Sequence, residues 1–80
     1  MDILLHLLQR EHDLIESKER SFRERVDLLH MLDECDLSDR ERKETEARVK
    51  FLNDYEDRLC ADIKQTRLSI KRYILKLLEL

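Results

Sequence analysis

The sequence predicts an all-α protein, an antiparallel two-helix hairpin whose helices pack as a coiled coil. The chain of 80 residues contains no glycine and no proline, and 44% of it is charged and 41% hydrophobic. Leucine, glutamate, arginine and lysine, which are good helix formers, dominate this composition. Apolar residues recur at helical spacing in two long segments, and one short polar segment separates them. Together these observations favour two helices over sheets or disorder.

The first predicted helix covers residues 2–35. Its main apolar series is spaced by seven residues and consists of Leu8, Ile15, Phe22 and Leu29. Other leucines flank this series at helical offsets, and the phase does not slip. Ser21 and Glu24 have the spacing of a capping box, which can start a helix. The continuous apolar phase nevertheless predicts that one helix passes through them.

A charged series runs beside the apolar one, also spaced by seven: Glu11, Lys18 and Arg25. We expect these side chains at the edge of the helix contact, with their aliphatic stems packed and their charged groups in water. The alternative is that they lie inside the contact and select its register, because a misplaced charge costs more free energy than it gains.

The break between the helices is predicted at residues 36–38. Asp36, Ser38 and Asp39 are unfavourable in helix interiors, and Ser38 forms a capping box with Glu41. Because neither glycine nor proline marks the break, the alternative is one uninterrupted helix in a long parallel coiled coil.

The second predicted helix covers residues 39–79, where the apolar residues again keep one helical phase. When it folds back on the first helix, residues whose numbers sum to about 74 face each other. The facing pairs are Phe22 with Leu52, Ile15 with Leu59, and Leu4 with Ile70. Residues 1–40 carry a net charge of -5 and residues 41–80 one of +2. Opposite charges suit neighbouring helices, which supports this pairing.

The whole chain, residues 1–80, is predicted to form a single helical-hairpin domain. On a helical wheel the apolar residues of the first helix span roughly half the circumference, whereas one packing stripe needs only about 100°. A domain of this size also buries too little surface to be comfortably stable alone. We therefore expect two hairpins to associate into a four-helix bundle. The alternative is that a few leucines stay exposed.

Both chain ends are rich in leucine and isoleucine, and the hairpin brings them together at its open end. There the apolar residues no longer keep to one face, whereas the opposite end, residues 33–48, is almost wholly charged. A contiguous exposed apolar patch usually marks a binding site. The residues predicted to bind a partner or a second copy are Leu4, Leu5, Leu8, Ile70, Tyr73, Ile74, Leu77 and Leu78.

A basic stretch without any acid, residues 64–76, predicts an alternative site. Its candidate anion-binding residues are Lys64, Arg67, Lys71 and Arg72. A basic amphipathic helix can bind nucleic acid or an anionic membrane surface. The simpler interpretation is that these bases face the acidic side chains of the first helix.

The sequence contains no recognisable catalytic, cofactor or metal motif. Without glycine, phosphate-binding loops and nucleophile elbows are excluded. Each of the three histidines lies four residues from an acid, which predicts surface ion pairs rather than a metal site. The two cysteines have no metal or redox spacing, and we expect them to be buried or half-buried. We therefore expect no enzyme activity, no cofactor and no bound metal.

The expected protein is cytoplasmic, with reduced thiols. No apolar segment approaches the roughly 20 residues of a membrane span, and Asp2 stands where a signal peptide carries basic residues. The expected function is that of a non-catalytic helical interaction protein, such as an adaptor, a small regulator or a co-chaperone. The expected partner is a second copy, a helical protein, or both. Binding to nucleic acid or to an anionic membrane surface is the alternative.

Overall fold

A computed structural model describes residues 2–79 of the chain. Two α-helices, α1 at Ile3–Glu34 and α2 at Asp39–Glu79, make up almost all of this range, and no strand occurs within it. The helices pack against each other in opposite directions. The predicted all-α hairpin is confirmed, and the alternative of one uninterrupted helix is wrong.

Local hydrogen bonds reverse the chain at the predicted place. α1 ends at Glu34 and is capped by Cys35, whose backbone is extended and whose N–H donates to the Met31 carbonyl oxygen over 3.0 Å. α2 starts with the capping box: the Glu41 N–H donates to Ser38 Oγ over 3.2 Å, and the Ser38 N–H donates to Glu41 Oε1 over 3.4 Å. These bonds satisfy helix-end groups that lack intrahelical partners, so the chain turns without glycine or proline.

The contact between the helices follows alternating spacings of three and four residues, as in a coiled coil. We call the two rows of buried and half-buried residues the seam. On α1 the seam consists of Leu4, Leu7, Glu11, Leu14, Lys18, Ser21, Arg25, Leu28 and Leu32. On α2 it consists of Thr45, Val49, Leu52, Glu56, Leu59, Ile63, Thr66, Ile70 and Tyr73. Polar side chains thus occupy the middle of the seam on α1.

The apolar series spaced by seven, which the sequence suggested as the main contact of α1, lies beside the seam. Phe22 is 51% exposed, and it is Ser21 that lines a groove together with Leu52. Likewise it is Leu14 that lies beside Leu59. The helices therefore face each other in nearly the predicted register, but α1 is rotated so that its charged series enters the seam.

The hairpin is a rod with little interior. It measures 63 × 17 × 15 Å and has a radius of gyration of 18.2 Å, whereas a compact domain of this length has about 12 Å. The buried apolar side chains, Leu52, Leu59 and Ile63, all lie in the middle of α2, and three polar residues are buried as well. This small, partly polar core leaves much apolar surface of both helices uncovered.

α2 is nine residues longer than α1, with 41 residues against 32. Because the turn holds the other two helix ends together, part of the extra length of α2 extends past the contact with α1. The seam ends at Tyr73 on α2, so this overhang consists of residues 74–79 and is about 9 Å long at about 1.5 Å per residue. The unequal helix lengths therefore produce the open end of the hairpin.

Candidate functional site at the open end of the hairpin

The eight residues predicted to bind a partner fall into two groups. Leu4, Ile70 and Tyr73 belong to the seam and are half-buried. The other five are exposed at the open end, and we call them the open-end patch: Leu5, Leu8, Ile74, Leu77 and Leu78. Leu78 is the most exposed of these, at 76%. The structure therefore brings all eight to one end and leaves five of them available to a partner.

The overhang of α2 explains why the patch is uncovered. Ile74, Leu77 and Leu78 lie on the overhang, after the last seam residue of α2. Leu5 and Leu8 lie on α1, on a side of that helix which the seam does not use. No part of residues 2–79 covers these side chains, so covering them requires atoms from elsewhere, such as a partner.

Two further apolar side chains at this end, Ile3 and Leu75, are exposed and were not among the predicted site residues. Ile3 lines an open groove with Leu7 and Tyr73. Residues two apart on a helix point about 200° apart, so Ile3 faces away from Leu5. The sequence offered a signal for Ile3, because it is apolar and lies one helical turn before the seam residue Leu7.

The four predicted anion-binding residues do not form one surface. The Arg67 Nε donates to Glu11 Oε2 over 2.8 Å, as the simpler interpretation predicts. Lys64, Lys71 and Arg72 form no ion pair with any group in residues 2–79. Arg72 lines the groove that contains Ile3, on a different side of α2 from the two lysines.

A buried polar cluster lies in the middle of the seam. Glu56 is 7% exposed; its Oε2 accepts hydrogen bonds from Ser21 Oγ over 3.2 Å and from Arg25 Nε over 2.8 Å. A second Arg25 nitrogen donates to Oε1 over 3.3 Å. The Arg25 side chain is 20% exposed, so the expectation that its charge stays in water is wrong. The hydrogen bonds to Glu56 raise the pKa of the Arg25 guanidinium.

This cluster fixes the register of the two helices. Ser21 and Arg25 are one helical turn apart on α1, and both bind the same carboxylate of α2. Sliding one helix by a turn would leave a buried carboxylate without its cation, which costs several kcal/mol by an order-of-magnitude estimate. The cluster therefore determines which residues of α1 and α2 lie opposite each other along the hairpin, including at its open end.

Other groups that could carry chemistry lie on the surface. His12, Asp13 and Glu16 place one possible ligand atom each within 4.8 Å of one another, and all three are exposed. His12 Nε2 lies 3.3 Å from Glu16 Oε2, which is an ordinary pair four residues apart. Cys60 is half-buried as expected, but Cys35 is exposed because it caps the end of α1.

A second uncovered apolar surface runs along α1. We call it the α1 stripe, and it is the series Leu8, Ile15, Phe22 and Leu29. All but the half-buried Ile15 are exposed. The stripe meets the open-end patch at Leu8, the one residue that both share. The opposite side of the hairpin is more polar, with grooves lined by Arg10, Asp13 and Ser17 among others.

Comparisons with known proteins found no relative of this chain. No known protein family, curated protein or solved structure matches it. Neither helix of the hairpin, within residues 2–79, combines the length and apolar character needed to cross a bilayer. The function must therefore be argued from the surfaces described above.

Proposed function

We propose that this protein is a non-catalytic helical interaction protein, acting as an adaptor, a small regulator or a co-chaperone through its open-end patch. One observation carries the proposal. Leu5, Leu8, Ile74, Leu77 and Leu78 are all more than 40% exposed and lie together at one end of a rod that is otherwise rich in charge. Such a cluster of exposed apolar side chains on a small protein typically marks a binding site.

The shape of the patch favours a helical partner. It consists of one turn of α1 and the overhanging turns of α2, so it presents apolar ridges rather than a pocket. Ridges of this kind fit into grooves between helices of another protein, or against the same end of a second copy. The hairpin positions these ridges rigidly, because the seam and its buried cluster hold the two helices in register.

Replacing Leu77 or Leu78 with glutamate tests this proposal. Met31→Glu is the matched control, because Met31 is 40% exposed and lies at the other end of the rod, near the turn. The full chain is immobilised, and the proteins that it retains from an extract of its own cells are identified. The affinity of each retained protein for the chain is then measured separately. We expect Leu78→Glu to weaken binding of the retained partner at least about tenfold.

The control should bind the partner as the native chain does, and circular dichroism should show the same helicity for all variants. Equal binding by the native chain, Leu77→Glu and Leu78→Glu would contradict the proposed use of the open-end patch.

A second candidate function, binding to an anionic surface, is favoured by Lys64 and Lys71. Both side chains are exposed and have no ion-pair partner in residues 2–79. The test is binding to phosphatidylserine vesicles and to a short RNA at low and moderate salt. If phosphate contacts dominate, binding falls steeply with salt and is lost in Lys64→Gln/Lys71→Gln, but not in Lys43→Gln. No binding at low salt would exclude this candidate.

A further inference from the structure

We propose that a second copy of this chain covers the α1 stripe, with its own α1 lying antiparallel to the first. The two hairpins then form a four-helix bundle. This inference concerns a surface that shares only Leu8 with the open-end patch, and it does not rest on the proposed function. In such a dimer the two open ends lie at opposite poles of the bundle, and the patch residues other than Leu8 stay free for other partners.

The apolar residues of α1 are divided between the seam and the stripe. In the middle of α1 the seam carries Glu11, Lys18, Ser21 and Arg25, whereas Ile15 and Phe22 lie on the stripe. The leucines of α1 in the seam are only half-buried. The buried apolar side chains of residues 2–79 are three residues of α2, which are 3%, 5% and 6% exposed. This core is small for an independent domain, so covering the stripe adds stability that the hairpin needs.

The stripe is centred on the middle of α1, as a symmetric contact requires. Leu8 to Leu29 spans about 31 Å at about 1.5 Å per residue, and its midpoint lies between residues 18 and 19. The midpoint of α1, Ile3–Glu34, falls at the same place. An antiparallel copy centred there overlaps α1 over its whole length. It sets Leu8 level with Leu29, and Ile15 level with Phe22, as a twofold interface requires.

Charge favours the antiparallel direction of the second copy. Along one flank of the stripe, the exposed Glu16 lies in the first half of α1 and the exposed Arg23 in the second half. In an antiparallel pair a residue on one flank faces the same flank of the other copy, so Glu16 comes close to Arg23 of the second copy, and the twofold axis repeats this contact. Glu19 lies on the same flank beside the axis and faces its own copy, so two unlike pairs outweigh one contact between like charges.

The structure around Phe22 offers a groove for the second copy. The groove is lined by the apolar residues Ile15, Phe22 and Ile63, the last of which is buried, and by the charged residues Lys18, Glu19, Arg23 and Arg67. With Ile15 of the second copy level with Phe22, a branched aliphatic side chain packs beside an aromatic ring, so large and small side chains alternate across the contact. The same contact is repeated by the twofold axis.

Phe22→Glu with Phe51→Glu as its control provides the first test. Both phenylalanines are half-exposed, at 51% and 50%, and each lies under an arginine whose guanidinium carbon is 5.2 Å from the ring centroid. Only Phe22 belongs to the stripe. Sedimentation equilibrium over a wide concentration range should give a dimer for the native chain and for Phe51→Glu. Phe22→Glu should weaken the dimer at least about tenfold.

A second test exchanges charges and does not touch the apolar surface. Glu16 and Arg23 are both exposed, so changing them leaves the seam intact. Glu16→Arg and Arg23→Glu each bring like charges together twice in the dimer and should weaken it about fivefold at low salt. The double variant restores unlike pairs and should regain native affinity. This test remains decisive if Phe22→Glu fails to fold.

The possible results distinguish self-association through the α1 stripe from self-association through the open-end patch. A folded native chain that stays monomeric at high concentration overturns the dimer. A dimer that Leu78→Glu dissociates, while Phe22→Glu leaves it unchanged, also overturns it and assigns self-association to the open-end patch. A double charge variant as weak as either single one contradicts the antiparallel register. Loss of dimerisation in Phe22→Glu and recovery in the double charge variant support the proposal.

Discussion

Glu56 is a carboxylate held between two helices, where a leucine would be the usual residue. Three hydrogen bonds, one from Ser21 and two from Arg25, compensate for its removal from water. A buried ion pair of this kind adds little net stability, but loss of one partner leaves the other charge uncompensated. At the scale of single residues, Glu56 therefore specifies the alignment of the hairpin more than it stabilises it.

Removing Arg25 alone should lower the stability of the protein strongly, whereas replacing both Arg25 and Glu56 should change it little. We expect Arg25→Met to lower the free energy of unfolding by about 3 kcal/mol, because Glu56 keeps its burial and loses its cation. The double variant Arg25→Met/Glu56→Met replaces the pair with apolar side chains and should lie within about 1 kcal/mol of the native protein. Urea denaturation at one protein concentration measures both. A double variant as unstable as the single one would refute this account of the cluster.

The exposed pair of Glu24 and Arg48 should make stability depend on pH. Arg48 donates two hydrogen bonds to Glu24, of 2.7 and 3.1 Å, and they lower the pKa of that carboxyl below its ordinary value of 4.5. A lowered folded-state pKa stabilises the protein above the unfolded value, and this contribution disappears as pH falls through the folded value.

We therefore expect Glu24→Gln to unfold at lower urea than the native chain at pH 7. The difference should vanish at a pH well below 4.5, the ordinary value of the carboxyl. Glu46→Gln is the control, because Glu46 is exposed and forms no ion pair with any group in residues 2–79. A difference for Glu24→Gln that persists unchanged in acid would contradict the role given to this pair.

At the scale of elements, the turn depends on one capping box. Ser38→Ala removes the hydroxyl that caps α2 and should destabilise the protein by about 1 kcal/mol. Ser69→Ala is the matched control within α2, because the Ser69 hydroxyl only bonds back to the Gln65 carbonyl oxygen and such a bond adds little to helix stability. Thermal unfolding compares the two. Equal effects would show that the cap does not fix the start of α2.

The helices and the turn were predictable because their signals are local. An unbroken apolar phase predicted that α1 runs through Ser21, despite its capping-box spacing with Glu24. The serine and glutamate at 38 and 41 predicted where α2 begins. A capping box concerns residues within one helical turn, and an apolar phase is set by spacings of three and four residues along one continuous helix, so both can be read without knowledge of distant contacts.

The face of α1 that meets α2 was not predictable in the same way. The apolar residues of α1 cover about half its circumference, so several rotations bury a similar number of them. Glu56, which lies 31 residues from Arg25 in sequence, decides between these rotations. That choice depends on a contact between distant parts of the chain. The strict spacing of Leu8, Ile15, Phe22 and Leu29 indicated another face, whereas the alternative that placed Glu11, Lys18 and Arg25 inside the contact agrees with the structure.

At the scale of the whole molecule, the hairpin is long and thin, and its unequal helices leave one end uncovered. The sequence predicted a candidate site at this end because both chain ends are apolar, and the structure brings the predicted residues together there. The sequence did not show which of these residues pack in the seam and which stay exposed. Leu4, Ile70 and Tyr73 pack between the helices only in the register that the central cluster imposes. The α1 stripe is exposed only because α1 is rotated away from the predicted contact. The proposal of a second copy follows from this exposed stripe.

The measurement that tests this account most directly is the unfolding temperature as a function of protein concentration. If a second copy covers the α1 stripe, folding and association are linked, and the native chain should gain roughly 3 °C for each tenfold increase in concentration. Phe51→Glu should behave in the same way, whereas Phe22→Glu should lose most of this dependence. A native chain that is folded and unfolds at one temperature from about 1 μM to about 1 mM would contradict the account.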